Sequence, residues 1–262
     1  MIKKINKFIK KNIYIIIIFP IFIILFDSFL SIYEKKDKIL NKLIASTNND
    51  KSYKKFSKTQ NKDKIWADKI LNKGGYILYF RHAEREKWID VASYDALEML
   101  KKIDARNSSF SKATCLSSRG LEQAKLMGEI IKIINLKIGD VISSPSCRAK
   151  ETSLLAFKKV DYYKNYLLHE GPFNENYELL GQQIRNLFLS MDVNQGENNI
   201  ISAHNGVITY HPNLFDENEY GDLKLDEGGF LVVEKKNNKL IVRHKFYNWN
   251  NFSRQTLIRP KN

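Results

Sequence analysis

Cysteine is scarce in this chain of 262 residues, which contains only Cys115 and Cys147. Two cysteines exclude a disulfide-rich scaffold and a zinc site built from four thiolates, and the sequence leaves open whether they form one disulfide. Neither cysteine is followed by arginine at the spacing of a CX5R motif, which excludes a cysteine phosphatase. The GxxxxGKS/T motif is also missing, so the sequence does not indicate a P-loop nucleotide-binding protein.

Acidic residues are few in the N-terminal arm, which we define as residues 1–64. The arm holds 15 lysines, no arginine and five acids, and it carries +10 of the net charge of +14. A domain that binds nucleic acid carries its basic excess on the folded part, so this charge does not predict nucleic-acid binding. The overall composition, 43% apolar and 27% charged, is that of a globular chain and excludes a wholly disordered protein and a polytopic membrane protein.

A long apolar run lies within the arm. Residues 13–26 are apolar without interruption, and the run resumes at residues 29–33 after Asp27 and Ser28. A helix over residues 13–33 would be about 31 Å long at ~1.5 Å per residue, which is sufficient to cross the hydrocarbon core of a bilayer. We therefore predict a transmembrane signal anchor at 13–33. A cleaved signal peptide is the alternative, although no small-x-small cleavage site follows the run.

The predicted anchor divides the chain into four parts. Residues 1–12 carry five lysines and no acid, so we expect a cytoplasmic basic tail, with the rest of the chain on the periplasmic side of the cell inner membrane. Residues 34–63 are rich in Lys, Asn, Ser and Asp and show little hydrophobic periodicity, which predicts a linker. Residues 64–262 form the predicted folded domain.

Short apolar segments alternate with amphipathic ones in the folded domain. Buried strands are predicted at residues 76–80, 140–144 and 199–203. A hairpin is predicted from strands at 230–234 and 240–246, with Asn237–Asn238 at its turn. Helices are predicted at residues 64–72, 118–134, 146–157 and 177–191. This alternation predicts an α/β domain with a mostly parallel sheet. In the last strand, Val242, His244 and Phe246 alternate and are expected on one face.

Chemistry-bearing side chains follow the ends of three predicted strands. Arg81 and His82 follow the first strand, and Arg85 lies one turn beyond them. Arg148 comes shortly after the second strand, and His204 directly follows the third. Because the carboxyl ends of parallel strands meet at one edge of a sheet, we expect these five side chains to lie close together.

Two histidines and three arginines suit a phosphoryl group better than a metal ion. Arginine is not a metal ligand, whereas its guanidinium forms bidentate hydrogen bonds to phosphate oxygens. An imidazole accepts a phosphoryl group when its attacking nitrogen is neutral, and surrounding cations favour that neutral form. The residues therefore predict phosphoryl chemistry that needs neither a metal nor an organic cofactor.

Four sequence blocks resemble, in the same order, those of the histidine phosphatase superfamily, which includes phosphoglycerate mutases and acid phosphatases. RHAE at 81–84 is similar to its Arg-His-Gly signature, LSSRGLEQAKLMG at 116–128 to its Leu-Thr-x-x-Gly-x-x-Gln-Ala helix, VISSPSCRAKETS at 141–153 to its Ser-Ser-Pro-x-x-Arg-Ala-x-Glu-Thr block and IISAHNGVI at 200–208 to its second-histidine strand. A matching tail lies around residues 227–229. The resemblance implies a three-layer α/β/α fold with a mostly parallel central sheet, as in phosphoglycerate mutase.

The resemblance also implies site residues. His82 would be the nucleophile and would form a phosphohistidine, whereas the phosphoryl group would be held by Arg81, Arg148 and His204. Arg85 falls where the acid-phosphatase branch has a further phosphate-binding arginine.

The residue that protonates the leaving group is the least determined part of the site. Asn205 stands where the acid-phosphatase branch has an aspartate proton donor, so the acid must come from elsewhere. Glu170 fits the placement of the glutamate that serves the mutase-like branch. Its rivals are Glu84, Glu175 and Glu178.

Together these features predict a membrane-anchored, extracytoplasmic phosphomonoester hydrolase of the histidine phosphatase type that acts without a metal. The expected substrate is a phosphorylated small molecule or a phosphorylated envelope glycan or glycolipid. Two alternatives remain: a phosphotransferase of the phosphoglycerate mutase type, and an inactive module of the cell envelope that binds phosphorylated ligands. Turnover that depends on His82 separates an enzyme from a module, and phosphate transfer to glycerate acceptors separates a mutase from a phosphatase.

Overall fold

The computed structural model describes residues 59–86, 95, 105–107, 114–168, 176–211 and 213–257. The predicted anchor at 13–33 and most of the predicted linker lie outside these residues. Among the helices that are described, none is long and apolar enough to cross a membrane.

Among the residues that the structure describes, seven strands form one sheet, in which a single strand runs against the others. The strands are β1 (Tyr76–Arg81), β2 (Ile138–Ser143), β3 (Tyr162–Tyr163), β4 (Asn198–Ala203), β5 (Glu217–Asn218), β6 (Phe230–Lys236) and β7 (Lys239–Phe246). Their order across the sheet is β3-β2-β4-β1-β6-β7-β5. β6 is antiparallel to β1 and β7, and the other pairs are parallel. The mostly parallel sheet is the one that the alternating segments predict.

Helices cover both faces of this sheet. They are α1 (Thr59–Asn72), α2 (Ser118–Ile133), α3 (Cys147–Ala156), α4 (Tyr177–Ser190), α5 (Asn205–Thr209) and α6 (Trp249–Leu257). Successive side chains of a strand point to opposite faces, and β1 shows the result. Tyr79 packs against Phe188 of α4, with ring centroids 6.1 Å apart, whereas its neighbour Phe80 packs against Trp249 of α6, also at 6.1 Å.

The β6–β7 hairpin has the predicted turn and one unpredicted irregularity. Asn237 and Asn238 both have positive φ, 50° and 60°, as a two-residue hairpin turn requires. Further along β7, the register against β6 shifts by one residue at Arg243, which is a β-bulge. Val242 therefore packs in the core on the α4 side, whereas His244 lies on the opposite face.

The bulge corrects one expectation from the sequence. The ring of Phe246 contacts Phe252 of α6, with ring centroids 5.3 Å apart, so Phe246 lies on the same face as His244. The prediction that Val242 shares this face is wrong, because the extra residue at the bulge interrupts the alternation of side chains.

Helix α1 begins at Thr59, five residues before the predicted start. The additional turn contains Asp63, which is buried, and its Oδ1 lies 2.8 Å from Nε2 of His244. Trp66, one turn later, stacks on the same imidazole. A polar residue at a buried position does not fit a hydrophobic periodicity, so the sequence pattern predicts a helix start that is five residues too late.

Candidate active site

His82 lies immediately after β1, at the carboxyl edge of the sheet. Its N–H donates to the carbonyl of Ala203 at the end of β4 (3.1 Å), and its carbonyl accepts from the N–H of Gly228 (3.0 Å). The imidazole is buried, and its Nδ1 lies 2.7 Å from the carbonyl oxygen of Ala83. Because a carbonyl oxygen only accepts, Nδ1 carries the proton, and the lone pair of the neutral ring is on Nε2.

His204 faces His82 across this edge, with ring centroids 5.3 Å apart. Its Nδ1 lies 3.2 Å from Nη2 of Arg148. A guanidinium only donates, so Nδ1 is the acceptor and the proton of a neutral His204 is on Nε2. That nitrogen lies 3.1 Å from Oγ of Ser144 and 3.2 Å from Oγ of Ser146, so either hydroxyl can accept it.

Arg148 lies in the first turn of α3 and is completely buried. Its Nη1 and Nη2 lie 2.8 and 2.7 Å from the two carboxylate oxygens of Asp95. This bidentate pair compensates a charge that is otherwise costly to bury. Ser146, the N-cap residue of α3, makes no capping bond with its side chain, because its hydroxyl is directed to His204.

Arg81 is held between the sheet and the segment before β6. Its Nη1 donates to the carbonyl of Leu225 (2.8 Å), and its Nη2 lies 3.4 Å from Oε1 of Glu227. Asn205 donates from Nδ2 to the same carbonyl of Leu225 and accepts from the N–H of Leu225, both at 2.9 Å. The amide of Asn205 is therefore used to fix this segment.

Helix α2 explains the motif at residues 116–128. Ser117 caps the helix by accepting from the N–H of Gly120 at 3.0 Å. A Cβ on Gly120 would lie 1.8 Å from the carbonyl oxygen of Glu84, so only glycine allows the helix to approach the segment after His82. Gln123 accepts from the N–H of Glu84 (2.9 Å) and donates to the carbonyl of Glu227 (3.0 Å). The motif thus connects two segments of the site.

Two further links connect α3 to the residues before α2. Glu151 accepts from Nε of Arg106 (2.7 Å) and from the N–H of Leu116 (2.9 Å). Cys115 and Cys147 form a disulfide, which decides the question that the sequence leaves open. Ligand atoms of the two cysteines and Glu151 lie within 4.8 Å of one another, but the disulfide uses both thiolates, so this group does not fit a metal ion.

The arginines of the site affect one another electrostatically. Burial lowers the pKa of both Arg81 and Arg85 from the usual value, and the charge of Arg148 lowers both further. Glu227 acts in the opposite direction on both. Closely spaced and poorly hydrated cations are stabilised by an anion, so the electrostatics favour an anionic ligand at this edge.

Four of the six predicted site residues lie at the carboxyl edge of the sheet: Arg81, His82, Arg148 and His204. Arg85 lies close enough to Arg81 and Arg148 for both charges to lower its pKa. Glu170, the predicted acid, lies outside the described residues, as does its rival Glu175. Glu84 is described, and its carboxylate lies 3.2 Å from the Ser117 hydroxyl. Glu178 is exposed at the start of α4 and lines a cavity of about 390 Å³ together with Arg185.

Sequence reasoning missed several contacts of these residues. Asp95 gives no local signal, because it lies in a segment without a recognised motif and is 53 residues from Arg148. Ser144 and Ser146 belong to the motif at 141–153, but no pairing with His204 was expected. Glu227 lies in the matching tail at 227–229, which is the one signal that could have connected it to the site.

The chain matches no protein-family model and no curated protein sequence. Three solved structures illustrate its structural neighbours, and all three belong to the histidine phosphatase superfamily.

Phosphoglycerate mutase from Bacillus anthracis is 15% identical, covers 71% of this chain and 98% of its own, and has a TM-score of 0.47. The protein histidine phosphatase SixA in complex with tungstate is 12% identical, covers 65% and 96%, and has a TM-score of 0.45. A phosphoserine phosphatase mutant from Entamoeba histolytica in complex with phosphoserine is 15% identical, covers 67% and 98%, and has a TM-score of 0.43. Similarity at this level does not assign an activity.

Proposed function

We propose that this protein is a histidine phosphatase with a phosphoglycerate mutase-like fold, and that it hydrolyses phosphomonoesters through a phosphohistidine at His82. One observation carries the proposal: the hydrogen bond between Nδ1 of His82 and the carbonyl of Ala83, at 2.7 Å. This bond fixes the tautomer in which Nε2 is the nucleophilic nitrogen. Arg81, Arg85 and Arg148 lie near the same edge of the sheet, so the nucleophile and the groups that bind the anion are close together.

In the first half-reaction, Nε2 of His82 attacks phosphorus in line with the scissile bond. The N–P bond forms as the P–O bond to the leaving group breaks. Arg81, Arg85 and Arg148 stabilise the charge on the equatorial oxygens. The positive end of the α3 dipole adds to this, since Arg148 lies in the first turn of that helix.

In the second half-reaction, water attacks the phosphohistidine. The O–P bond forms, the N–P bond breaks, and inorganic phosphate and neutral His82 are released. The acid that gave its proton to the leaving oxygen in the first half-reaction is now a carboxylate and accepts a proton from the water. Assistance of this kind contributes about 10²–10⁴-fold to a rate.

We assign this acid–base role to Glu170. Among the rivals that the structure describes, Glu84 has both carboxylate oxygens engaged: Oε1 lies 3.2 Å from the hydroxyl of Ser117, and Oε2 lies 3.5 Å from Nη2 of Arg119. These contacts hold Glu84 against α2. Glu178 lies beside Arg185 in a cavity that none of Arg81, Arg85 and Arg148 lines. We call these three arginines the arginine cluster. The choice of Glu170 over Glu84 and Glu178 rests on these contacts, and its choice over Glu175 rests on its position in the sequence alone.

An extracytoplasmic location is part of the proposal. The disulfide between Cys115 and Cys147 joins two buried residues, and structural disulfides persist in oxidising compartments and are rare in the cytosol. This supports a catalytic domain outside the cytoplasmic membrane. The anchor of that domain is proposed from the apolar run at residues 13–33 alone. The substrate class that suits such a location is a phosphorylated small molecule or a phosphorylated glycan or glycolipid of the envelope.

Hydrolysis of p-nitrophenyl phosphate by the full chain in detergent tests the activity, with and without a chelator. His82→Asn keeps a side-chain donor for the carbonyl of Ala83 and removes the nucleophile, so hydrolysis should disappear. His211→Asn is the matched control, because His211 is also largely buried but lies beside Gly181 of α4. Hydrolysis that persists in His82→Asn, or that the chelator abolishes in the wild type, would contradict the proposal.

Cell fractionation and thiol labelling test the location. The full chain should be recovered in the membrane fraction, and Cys115 and Cys147 should resist alkylation until a reductant is added. Recovery in the soluble fraction with two reactive thiols would contradict the proposed location and would leave the proposed chemistry unaffected.

A further inference from the structure

The Asp95–Arg148 pair lies inside the proposed phosphate site, and the mechanism above uses Arg148 but gives no role to Asp95. Arg148 is completely buried and Asp95 is 2% exposed. The two carboxylate oxygens lie 2.8 and 2.7 Å from Nη1 and Nη2, so the pair has the parallel, charge-assisted geometry of a guanidinium that holds an oxyanion. A phosphoryl group held by Arg148 in the same manner would need the same two nitrogen atoms.

The remaining hydrogens of these nitrogens also have acceptors. Nη1 lies 3.3 Å from the carbonyl oxygen of Thr114, and Nη2 lies 3.2 Å from Nδ1 of His204. Each Nη carries two hydrogens, so all four have an acceptor. Nε is buried and has no hydrogen-bond partner among the described residues. A phosphoryl group can therefore bind the Nη atoms only if an acceptor leaves, and Asp95 is the one that binds both.

We propose that Asp95 is a resident anion on Arg148, which a phosphoryl dianion displaces and a monoanion does not, so that Asp95 determines specificity for dianionic phosphomonoesters. The inference rests on the proposed function, because it takes Arg148 as a group that receives the phosphoryl oxygens. The exchange keeps Arg148 paired with an oxyanion, so its buried charge is never left uncompensated. The released carboxylate regains its hydration.

Charge determines which ligands complete this exchange. A monoanion offers Arg148 the same charge as Asp95 but has to compete with a group held on the same chain, whose effective concentration is high. A dianion brings a second negative charge to the arginine cluster. Arg148 lies close enough to Arg81 and Arg85 to lower the pKa of each, and Asp95 raises the pKa of Arg85. The resident carboxylate therefore lies within the cluster that the dianion would neutralise.

Asp95→Asn tests the inference, with Glu151→Gln as the matched control. Asparagine keeps the size of the side chain and removes its charge. Glu151 is also a carboxylate paired with an arginine, but its partner is Arg106. The probes are inorganic phosphate at mildly alkaline pH, where it is a dianion, and dimethyl phosphate, a monoanion. Binding to the full chain in detergent is measured by calorimetry, and folding is verified by circular dichroism.

The expected result is that Asp95→Asn binds inorganic phosphate at least about tenfold more tightly than the wild type, the factor that follows if Asp95 occupies Arg148 in nine of ten unliganded molecules. Its preference for phosphate over dimethyl phosphate should fall, since the monoanion no longer competes with a resident charge. Glu151→Gln should bind both as the wild type does. A folded Asp95→Asn that binds phosphate no more tightly than the wild type would overturn the inference.

A crystal structure of the wild-type protein with tungstate tests the same inference without a substitution, and it decides the matter if Asp95→Asn does not fold. The tungstate oxygens should bind Nη1 and Nη2 of Arg148, with the Asp95 carboxylate removed from them. Tungstate bound at the site while Asp95 remains on Arg148 would overturn the inference. Failure of the proposed function has a different result: neither the wild type nor the variants would bind phosphate, and no hydrolysis would depend on His82.

Discussion

Gly120 of α2 packs against the carbonyl oxygen of Glu84, and a Cβ at Gly120 would lie 1.8 Å from that oxygen. Glu84 is two residues after His82, so this contact sets how closely the helix approaches the segment of the proposed nucleophile. A backbone oxygen cannot move aside as a flexible side chain can. The absence of a side chain at Gly120 is therefore a requirement of the site geometry.

Gly120→Ala should destabilise the fold by about 1–3 kcal/mol, the usual cost of overpacking a well-packed contact, and should lower kcat by moving His82. Thermal unfolding and hydrolysis of p-nitrophenyl phosphate measure the two effects. Gly181→Ala in α4 is the control, because its Cβ would meet only the side chain of His211, at 3.0 Å. Equal losses in the two variants would contradict the special role of Gly120.

Gln123 joins the segment after His82 to the segment that contains Glu227, through bonds of 2.9 and 3.0 Å. Gln123→Ala leaves the N–H of Glu84 and the carbonyl of Glu227 without this partner, and each unsatisfied group costs about 1–3 kcal/mol when buried. We expect a lower melting temperature and a lower kcat/KM. Gln182→Ala, at an exposed position of α4, should change neither quantity. A wild-type kcat/KM in Gln123→Ala would show that the bridge does not position the site.

The disulfide between Cys115 and Cys147 closes a loop with a sequence separation of 32 residues. A loop of this length stabilises the fold by about 3–4 kcal/mol in the chain-entropy model. A reductant should therefore lower the melting temperature of the wild type by several degrees. The double variant Cys115→Ser/Cys147→Ser should melt at this lower temperature and should not respond to reductant. A wild type whose melting temperature is unchanged after complete reduction, verified by thiol labelling, would contradict this account.

Glu170→Gln should separate substrates by their leaving groups. An alkyl phosphate needs a proton on its leaving oxygen, so its hydrolysis should slow by about 10²–10⁴-fold. p-Nitrophenolate leaves without protonation, so formation of the phosphohistidine from p-nitrophenyl phosphate should change little in a stopped-flow measurement. Glu84→Gln and Glu178→Gln are the matched controls and should retain alkyl phosphatase activity. If Glu84→Gln shows the selective loss and Glu170→Gln does not, the acid is Glu84.

The parts of the fold that follow from local patterns could be predicted from the sequence. The apolar segments predict five of the seven described strands, β1, β2, β4, β6 and β7. They also place Arg81–His82 and His204 at the ends of β1 and β4, because an apolar run ends where a buried strand ends. Asn237–Asn238 predicts the hairpin turn for a different local reason, which is that few residue types adopt positive φ at both turn positions.

Contacts between distant residues could not be predicted. Asp95 and Arg148 are 53 residues apart in the sequence. A lone aspartate in a segment without periodicity carries no local pattern from which its partner could be predicted. The bulge at Arg243 depends on the register in which β7 pairs with β6. This register cannot be read from the sequence of either strand alone. The sequence does not predict helix α6, because polar residues separate Trp249 from Phe252. Both rings pack on Phe230 of β6, and this tertiary contact is not visible in the local pattern.

The central claim is that Nε2 of His82 becomes phosphorylated during turnover. Full-length protein should be mixed with ³²P-labelled substrate, quenched in base, in which a phosphohistidine survives, and mapped by mass spectrometry. The account predicts a phosphoryl group on His82 that is lost in acid and is absent from His82→Asn. Active enzyme that carries no phosphoryl group at any time during turnover, or carries it on another residue, would contradict the account.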